Sequence, residues 1–229
     1  MLLLTCLLAA YLLGAIPFSF VVAQRVKGID LRLHGSGNLG ATNIFRTLGP
    51  GWGVLVLVLD MAKGAGAVLL MSWLAANWPP GEPTPLHLPP DLWRIFAGGM
   101  AAFGHTFSPF VGFHGGKGVA TTAGAYFVLA PFPTLTALVV FGVVLAVTRI
   151  VSLSSLCAAA VLPVAVAYFE ARSPQFSKTI FVFTLVICLW VIHRHRKNIE
   201  RLQAGTEKPI GATSGSTDET PQDHEPGPS

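Results

Sequence analysis

The apolar residues of this chain are gathered into long blocks, and this grouping limits its possible folds more than any other feature. The blocks cover 2–22, 52–76, 92–104, 119–148, 153–169 and 179–192. A membrane-spanning helix needs about 20 predominantly apolar residues. Charged residues make up only 11% of the chain, whereas they make up about 25% of a typical soluble domain. The sequence therefore predicts an all-α, polytopic integral membrane protein.

The number of spans depends on the block 119–148, which contains Pro131 and Pro133. Proline disrupts the interior of a helix, so we expect two short spans in this block and seven transmembrane helices in all. If the block instead forms a hairpin that does not cross the membrane, five spans remain, and the orientation is unchanged.

The basic residues predict which way the chain is oriented. They are concentrated in the loop 23–51 and after residue 192, whereas the loop 77–91 has none. Loops rich in lysine and arginine stay in the cytoplasm, which puts the N-terminus outside and the C-terminus inside. We expect residues 1–208 to form a single transmembrane domain. The polar segment 209–229 has few apolar residues, and we expect it to be a disordered cytoplasmic tail.

Four polar clusters fall on the side predicted to be cytoplasmic. The first has the sequence GSGNLGATN at 35–43 and is followed by Arg46. Its Ser36 and Asn38 offer hydrogen-bond donors, and a helix starting near Thr42 or Asn43 would direct its amide groups at an anion. An ordinary flexible loop before a capped helix is the alternative interpretation.

The second cluster is a glycine-rich loop that carries a lysine. It begins at Gly104 and His105 and contains Gly115, Gly116, Lys117 and Gly118. Glycine allows successive backbone amides to surround an anion, and the lysine adds a positive charge. A nucleotide-binding P-loop would have serine or threonine directly after the lysine, where this chain has glycine, so an ATPase is not predicted.

The other polar candidates lie at helix ends or inside a span. The third cluster contains Ser152 and Ser155, which follow a predicted inner turn, and the fourth contains His195 and Asn198, which share one face of the segment after the last span. The other face of that segment holds Arg194, Lys197 and Arg201, which fit an anchor on anionic lipid. Lys63 lies inside the second span, three residues after Asp60; such a pair is either functional or mutually satisfied.

Taken together, these segments resemble the bacterial acyl-phosphate:glycerol-3-phosphate acyltransferase family, the PlsY type. The resemblance covers residues 1–208 and rests on the motifs GSGNLGATN at 35–43, GHTFSPFVGFHGGKGVAT at 104–121, the Ser-Leu turn at 152–155 and HRKNIERLQAGTE at 195–207. It implies transfer of a fatty acyl group from acyl-phosphate to the 1-hydroxyl of glycerol 3-phosphate, giving lysophosphatidate and phosphate. It also implies a multi-pass protein of the bacterial inner membrane whose active site faces the cytoplasm.

On this basis we assign roles to individual residues. We expect His195, Lys117 and Ser36 to be catalytic, with the general base being either His195 or a phosphate oxygen of the donor. We expect the substrates to be bound by Asn38, Thr42, Asn43, Arg46, Lys63, His105, Gly115, Gly116, Gly118, Ser152, Ser155, Asn198 and Glu207. We expect Glu207 to hold the segment after the last helix in place.

Two other functions remain open at this point. A transporter of a phosphorylated metabolite would need polar residues along the whole transmembrane path, and the spans show few. A scaffold that presents basic loops to a soluble partner would not explain the glycine motifs. The sequence has no cluster of histidine, cysteine and carboxylate residues with metal-ligand spacing, so we expect no metal, no cofactor and no nucleic-acid partner, and membrane lipid as the surroundings.

Overall fold

The computed structural model describes residues 2–78, 90–172 and 178–211, and within these ranges all regular structure is helical. The helices are α1 (Leu2–Ala15), α2 (Phe18–Lys27), α3 (Ala41–Leu48), α4 (Pro50–Ala76), α5 (Pro90–Thr106), α6 (Val119–Leu129), α7 (Pro131–Thr148), α8 (Val151–Glu170), α9 (Lys178–Arg194) and α10 (Arg196–Gln203). Short 3₁₀ turns occur at Leu31–Leu33 and Pro109–Val111. Most of the predicted outer loop 77–91, and the predicted tail from residue 212 onward, lie outside the described residues.

Several helices are long and apolar enough to cross a membrane. Within the described ranges, Leu4–Lys27, Pro50–Ala76, Pro131–Thr148 and Val151–Glu170 meet this criterion, and α9 with α10 gives a fifth segment that is bent by 59°. The apolar helix α6 has only 11 residues. The prediction of an all-α integral membrane protein is confirmed, and the count of seven spans remains a prediction.

The helical structure is interrupted once inside the first apolar block and once inside the block with two prolines. α1 ends at Ala15 and α2 begins at Phe18, on either side of Pro17. In the later block Ala130 separates α6 from α7, and Pro131 and Pro133 both lie in the first turn of α7. Proline is tolerated there because the first amides of a helix have no intrahelical partner. The block 119–148 therefore forms two helices, as its prolines indicated.

Glycine residues bring two pairs of helices unusually close together. A Cβ atom on Gly64 of α4 would lie 1.9 Å from the Thr121 carbonyl oxygen of α6, and one on Gly124 of α6 would lie 1.9 Å from the Met61 carbonyl oxygen. At the contact of α1 with α5, a Cβ on Gly104 would lie 2.1 Å from the Tyr11 carbonyl oxygen. Small residues at such crossings allow the backbones of membrane helices to touch. The contacts of Gly64 and Gly124 fix the start of α6 against α4, where the polar clusters meet.

The largest buried apolar cluster of the described residues lies mainly among α6, α7, α8 and α9, with further members on α4 and α5. It includes Tyr126, Leu162, Val166 and Ile187. The Tyr126 hydroxyl donates a hydrogen bond to the Thr184 hydroxyl oxygen at 3.0 Å and so joins α6 to α9. The four helices hold the interior together, and their polar ends are left to form a site.

Replacing Gly124 with alanine should destabilise the protein, because the new methyl group would overlap the backbone of α4. Overpacking of this kind costs about 1–3 kcal/mol. The matched control is Gly142→Ala on α7, where a Cβ atom would have no neighbour within 4 Å. Thermal unfolding of the detergent-solubilised variants measures the difference. Equal melting temperatures for the two variants would contradict the tight crossing of α4 and α6.

Candidate active site

A cavity of about 510 Å³ lies where the four polar clusters meet, at one end of the helical bundle. Residues far apart in the chain share its polar and charged lining, which comprises Ser36, Asn38, Thr42, Arg46, Asp60, His105, Lys117, Gly118, Thr122, Thr134, Ser152, Ser155, Arg194, His195, Arg196, Lys197, Asn198, Arg201 and Glu207. Twelve of the residues predicted to act in catalysis or substrate binding line this one cavity, and Asn43, Lys63, Gly115 and Gly116 do not.

Asn43 shapes the first loop and does not line the cavity. Its Oδ1 accepts a hydrogen bond from the Ser36 amide at 2.9 Å, and its Nδ2 donates to the carbonyl oxygens of Leu31 and His34. The predicted cap near Thr42 or Asn43 is also wrong, because α3 begins at Ala41 after Gly40. With the Asn43 side chain committed to the preceding loop, no side chain caps this helix. We therefore correct the role of Asn43 from substrate contact to support of Ser36.

The glycine-rich loop is pressed against the end of α5. The Gly115 amide donates to the Thr106 carbonyl oxygen at 3.0 Å and the Gly116 amide donates to the His105 carbonyl oxygen at 3.1 Å. A Cβ atom on Gly115 would lie 1.9 Å from the His105 carbonyl oxygen. Both amides are thus already used, and the prediction that they bind a substrate phosphate does not agree with this geometry. The two glycines let the loop approach α5 and thereby position Lys117.

A chain of hydrogen bonds starts at Lys117 and crosses the cavity. The Lys117 ammonium donates to Asn198 Oδ1 at 2.5 Å, and Asn198 Nδ2 donates to Glu207 Oε1 at 2.7 Å. Glu207 also accepts from the Ser152 hydroxyl at 2.7 Å and from Arg201 Nε at 2.6 Å. The glycine-rich loop, the start of α8 and the segment from α10 to Glu207 are thereby joined at the polar wall.

The segment after α10 crosses the mouth of the cavity. Besides the contacts of Glu207, the Lys208 carbonyl oxygen accepts from an Arg46 guanidinium nitrogen at 2.8 Å, and the Ile210 amide donates to the Arg149 carbonyl oxygen at 2.7 Å. These bonds attach the segment to α3 on one side and to the turn between α7 and α8 on the other. The expectation that Glu207 holds this segment agrees with these contacts.

The cavity is positively charged, and this affects the groups that titrate in it. Burial lowers the pKa of Lys117 to about 8; Glu207 acts in the opposite direction, and Arg201, Arg194 and Arg46 lower it further. For Glu207, burial favours a higher pKa, but hydrogen bonds from Ser152, Arg201 and Asn198 outweigh it and lower the pKa. The Glu207 carboxylate therefore stays ionised and partly balances the surrounding cations.

Two arginines that line the cavity have buried donors with no protein partner in the described part of the chain. Arg46 Nε and Arg194 Nε are both buried and lack a hydrogen bond. Leaving a buried donor unsatisfied costs about 1–3 kcal/mol and more for a charged group. Guanidinium groups match the oxygens of phosphate well. The wall of the cavity therefore has unused capacity to bind a phosphate.

His195 is buried at the sharp bend between α9 and α10. Its ring Nδ1 lies 2.8 Å from the Val191 carbonyl oxygen, and because a carbonyl can only accept, Nδ1 carries the hydrogen. Burial, together with the positive charge of Lys117, lowers the pKa of His195 to about 4. At neutral pH the ring is therefore uncharged, and Nε2 has a free lone pair that can accept a proton.

Lys63 pairs with Asp60, which was one of the two interpretations that the sequence left open, and it makes a further contact that the sequence did not reveal. Its ammonium donates to the Ile16 carbonyl oxygen at 2.8 Å and lies 2.9 Å from Asp60 Oδ1. Ile16 lies at the break between α1 and α2, where carbonyl groups lose their helical partners. We therefore correct the assignment of Lys63 from substrate binding to support of this break. The neighbouring His105 does line the cavity, and its Nδ1 lies 3.5 Å from Asp60 Oδ1.

The sequence interpretation assigned three residues of the cavity wall to another role. Arg194, Lys197 and Arg201 were expected to anchor the chain on lipid, but all three line the cavity. The reason is the bend of 59° between α9 and α10, which turns these side chains away from the positions they would have on a straight helix. Only the local motif around His195 and Asn198 could have suggested a site here.

Comparison with known proteins agrees with this geometry. The family model described as glycerol-3-phosphate acyltransferase matches residues 4–205. A glycerol-3-phosphate acyltransferase of Acaryochloris marina is 42% identical over 219 residues, covering 93% of this chain and 95% of the relative. One of Trichlorobacter lovleyi is 44% identical over 204 residues, covering 89% and 95%.

Solved structures give the same result. A crystal structure of PlsY (YgiH), an integral membrane glycerol 3-phosphate acyltransferase in its glycerol 3-phosphate form, is 35% identical and matches with a TM-score of 0.76. The lysophosphatidic acid form is 34% identical and has a TM-score of 0.74. Each match covers 92% of this chain and 96% of the solved chain. This chain therefore belongs to the glycerol-3-phosphate acyltransferase family.

Proposed function

We propose that this protein transfers a fatty acyl group from acyl-phosphate to the 1-hydroxyl of glycerol 3-phosphate, releasing lysophosphatidate and inorganic phosphate. The observation that carries the proposal is the pair of buried, unpartnered arginine donors, Arg46 Nε and Arg194 Nε, in a cavity that also contains Lys117. Both proposed substrates carry a phosphate, so one site must hold two anions near each other. Family membership supports the same reaction.

The cavity also offers space for an acyl chain. Its inner wall is apolar and includes Leu57, Met61, Val119, Tyr126, Ala137, Leu138, Phe141, Ala158, Ala159, Leu162, Ile187, Cys188 and Val191. An alkyl chain is stabilised by leaving water for such a wall. The arrangement puts a phosphate at the polar mouth and the acyl chain in the interior, with the reactive carbonyl at their boundary.

We assign the donor phosphate to the first loop and the glycine-rich loop, and the acceptor to the opposite wall. Ser36, Asn38 and Thr42 would donate to the phosphate of the acyl donor, with Lys117 between the two substrates. Arg46, Arg194 and Asn198 would hold glycerol 3-phosphate, and the short hydrogen bond from Lys117 to Asn198 keeps these two groups together.

The reaction forms one ester bond and breaks one anhydride bond. The 1-oxygen of glycerol 3-phosphate attacks the acyl carbonyl carbon, and the bond from that carbon to the phosphate oxygen breaks. The hydroxyl proton passes to a phosphate oxygen of the donor or to His195 Nε2. The Lys117 ammonium stabilises the negative charge that develops on the carbonyl and the leaving phosphate. Positioning of the two substrates supplies much of the rate enhancement.

We also propose the membrane arrangement that the basic residues predict. The chain would cross the inner membrane of a bacterium seven times, with the N-terminus outside and the cavity facing the cytoplasm. This is supported by the cavity wall, in which the arginines and Lys117 of the basic loops gather at one end of the bundle. A transporter would need the polar wall to continue, but the inner wall of the cavity is apolar around Tyr126 and Leu162.

Replacing Lys117 with methionine should lower the rate of acyl transfer by tens to several hundredfold. A lost charge-assisted contact in a buried site costs about 2–4 kcal/mol, and about 1.4 kcal/mol changes a rate tenfold. The assay combines purified protein, acyl-phosphate and labelled glycerol 3-phosphate, and follows lysophosphatidate and phosphate together. The control is Lys178→Met, at an exposed position at the start of α9. Unchanged turnover by a folded Lys117→Met variant would refute the assignment.

The activity should fall as the pH rises through about 8 and again as it falls through about 4. The Lys117 pKa of about 8 means that the ammonium is lost above this pH, and the His195 pKa of about 4 means that its Nε2 is protonated below that value. Both decreases, the alkaline limb and the acid limb, should appear when kcat/KM for glycerol 3-phosphate is plotted against pH. The Lys117→Arg variant keeps its charge at high pH, so its residual activity should lack the alkaline limb. An alkaline limb that persists in Lys117→Arg would show that another group titrates.

The proposed orientation can be tested by labelling single cysteines. His34 and Lys208 are both exposed near the mouth of the cavity, and each can be replaced with cysteine. A membrane-impermeant reagent should label neither variant in intact cells and both in opened membranes. Labelling of only one of them in intact cells would place the two segments on opposite sides of the bilayer.

A further inference from the structure

We propose that the stripe formed by Ala158, Ala159 and Leu162 on α8 sets the length of the acyl chain that the protein accepts. This inference rests on the proposed acyl transfer and adds to it a determinant of specificity. It follows from where the cavity runs and where its wall ends.

The cavity follows α8 from its polar mouth towards the middle of the bundle. Its lining residues on this helix are Val151, Ser152, Ser155, Ala158, Ala159 and Leu162, which share one face because they recur every three or four residues. A helix rises about 1.5 Å per residue, so Leu162 lies roughly 10 Å further inside than Ser155. Along α8 the lining therefore changes from the serine hydroxyl groups at the mouth to the apolar stripe in the interior.

Beyond the last lining residue on α8 the interior of the bundle is packed. Leu162 is the last residue of α8 that lines it, and Val166, one turn further on, is fully buried. On the opposite side the Tyr126 hydroxyl is bonded to Thr184 on α9. The Thr134 hydroxyl on α7 donates to the Ala130 carbonyl oxygen at 2.7 Å. The hydroxyl donors at this end are used, so the surface that faces the cavity suits the end of an alkyl chain.

The small size of Ala158 and Ala159 keeps this passage open. Ala137 and Leu138 of α7 line the same cavity from the neighbouring helix, and a larger side chain on α8 would occupy the space between them. Each buried methylene group raises affinity by roughly fourfold. A donor therefore gains affinity with every carbon until the chain reaches Leu162, and a longer chain must bend or leave the cavity.

Three substitutions on α8 test this inference. Ala158→Phe fills the passage, Leu162→Ala extends it, and Ala160→Phe is the matched control because Ala160 is exposed on another face of the same helix. Each variant is assayed with a graded series of saturated acyl-phosphates. Ala158→Phe should lower kcat/KM for the longest donors by about tenfold or more relative to the shortest, since phenylalanine displaces several methylene groups. Leu162→Ala should move the preferred length upward, and KM for glycerol 3-phosphate should stay unchanged.

An equal loss for all chain lengths in Ala158→Phe, or the same length shift in Ala160→Phe, would overturn the inference. If Ala158→Phe does not fold, Ala158→Leu gives a smaller shift in the same direction. Non-reactive alkyl phosphates of graded length provide a second measurement, through the rise in melting temperature on binding. If the unmodified protein transfers no acyl group, the proposed function fails. The proposed role of the α8 stripe is still supported if alkyl phosphate binding shows a length limit that moves with substitutions at position 158. If binding shows no such limit, that role is refuted.

Discussion

The hydrogen-bonded chain from Lys117 through Asn198 to Glu207 is the interaction on which the site depends. It joins the glycine-rich loop to α10 and to the segment that follows. Lys117 is buried among arginines, which would expel its proton, and the Glu207 carboxylate opposes them. The same carboxylate orients Asn198 and receives the Ser152 hydroxyl. Removal of this one acid would loosen three walls of the cavity and weaken the charge on the lysine.

Elsewhere in the bundle, polar groups that lie inside a span also need hydrogen-bond or charge partners. At the break between α1 and α2 the Ile16 carbonyl oxygen accepts from the Phe18 amide and from Lys63, which reaches it from α4. Asp60 balances the charge of Lys63 and also lies 3.5 Å from His105 at the cavity. A pair of ions inside a span is expensive unless each member is satisfied. Here the pair supports an irregular segment next to the site.

The sequence was a good guide to the fold because apolar blocks and prolines act locally. The blocks identified the helices, and Pro131 and Pro133 indicated the break that the structure has at Ala130. It was a poorer guide to individual roles, because these depend on contacts between distant segments. Gly115 and Gly116 have the composition of an anion nest, yet the carbonyls of α5 take their amides. Arg194 and Arg201 have the pattern of a lipid anchor, yet the bend at His195 turns them inward.

Glu207 follows every α-helix that the structure describes, from α1 to α10, and this position has a consequence for biosynthesis. The carboxylate that completes the cavity is made only after α10, and the Ile210 amide that attaches the segment to Arg149 is made later still. Until then Ser152, Asn198 and Arg201 lack the carboxylate that they contact in the folded protein. If Glu207 is needed for acyl transfer, we expect the nascent protein to become active only after its last helix is in place.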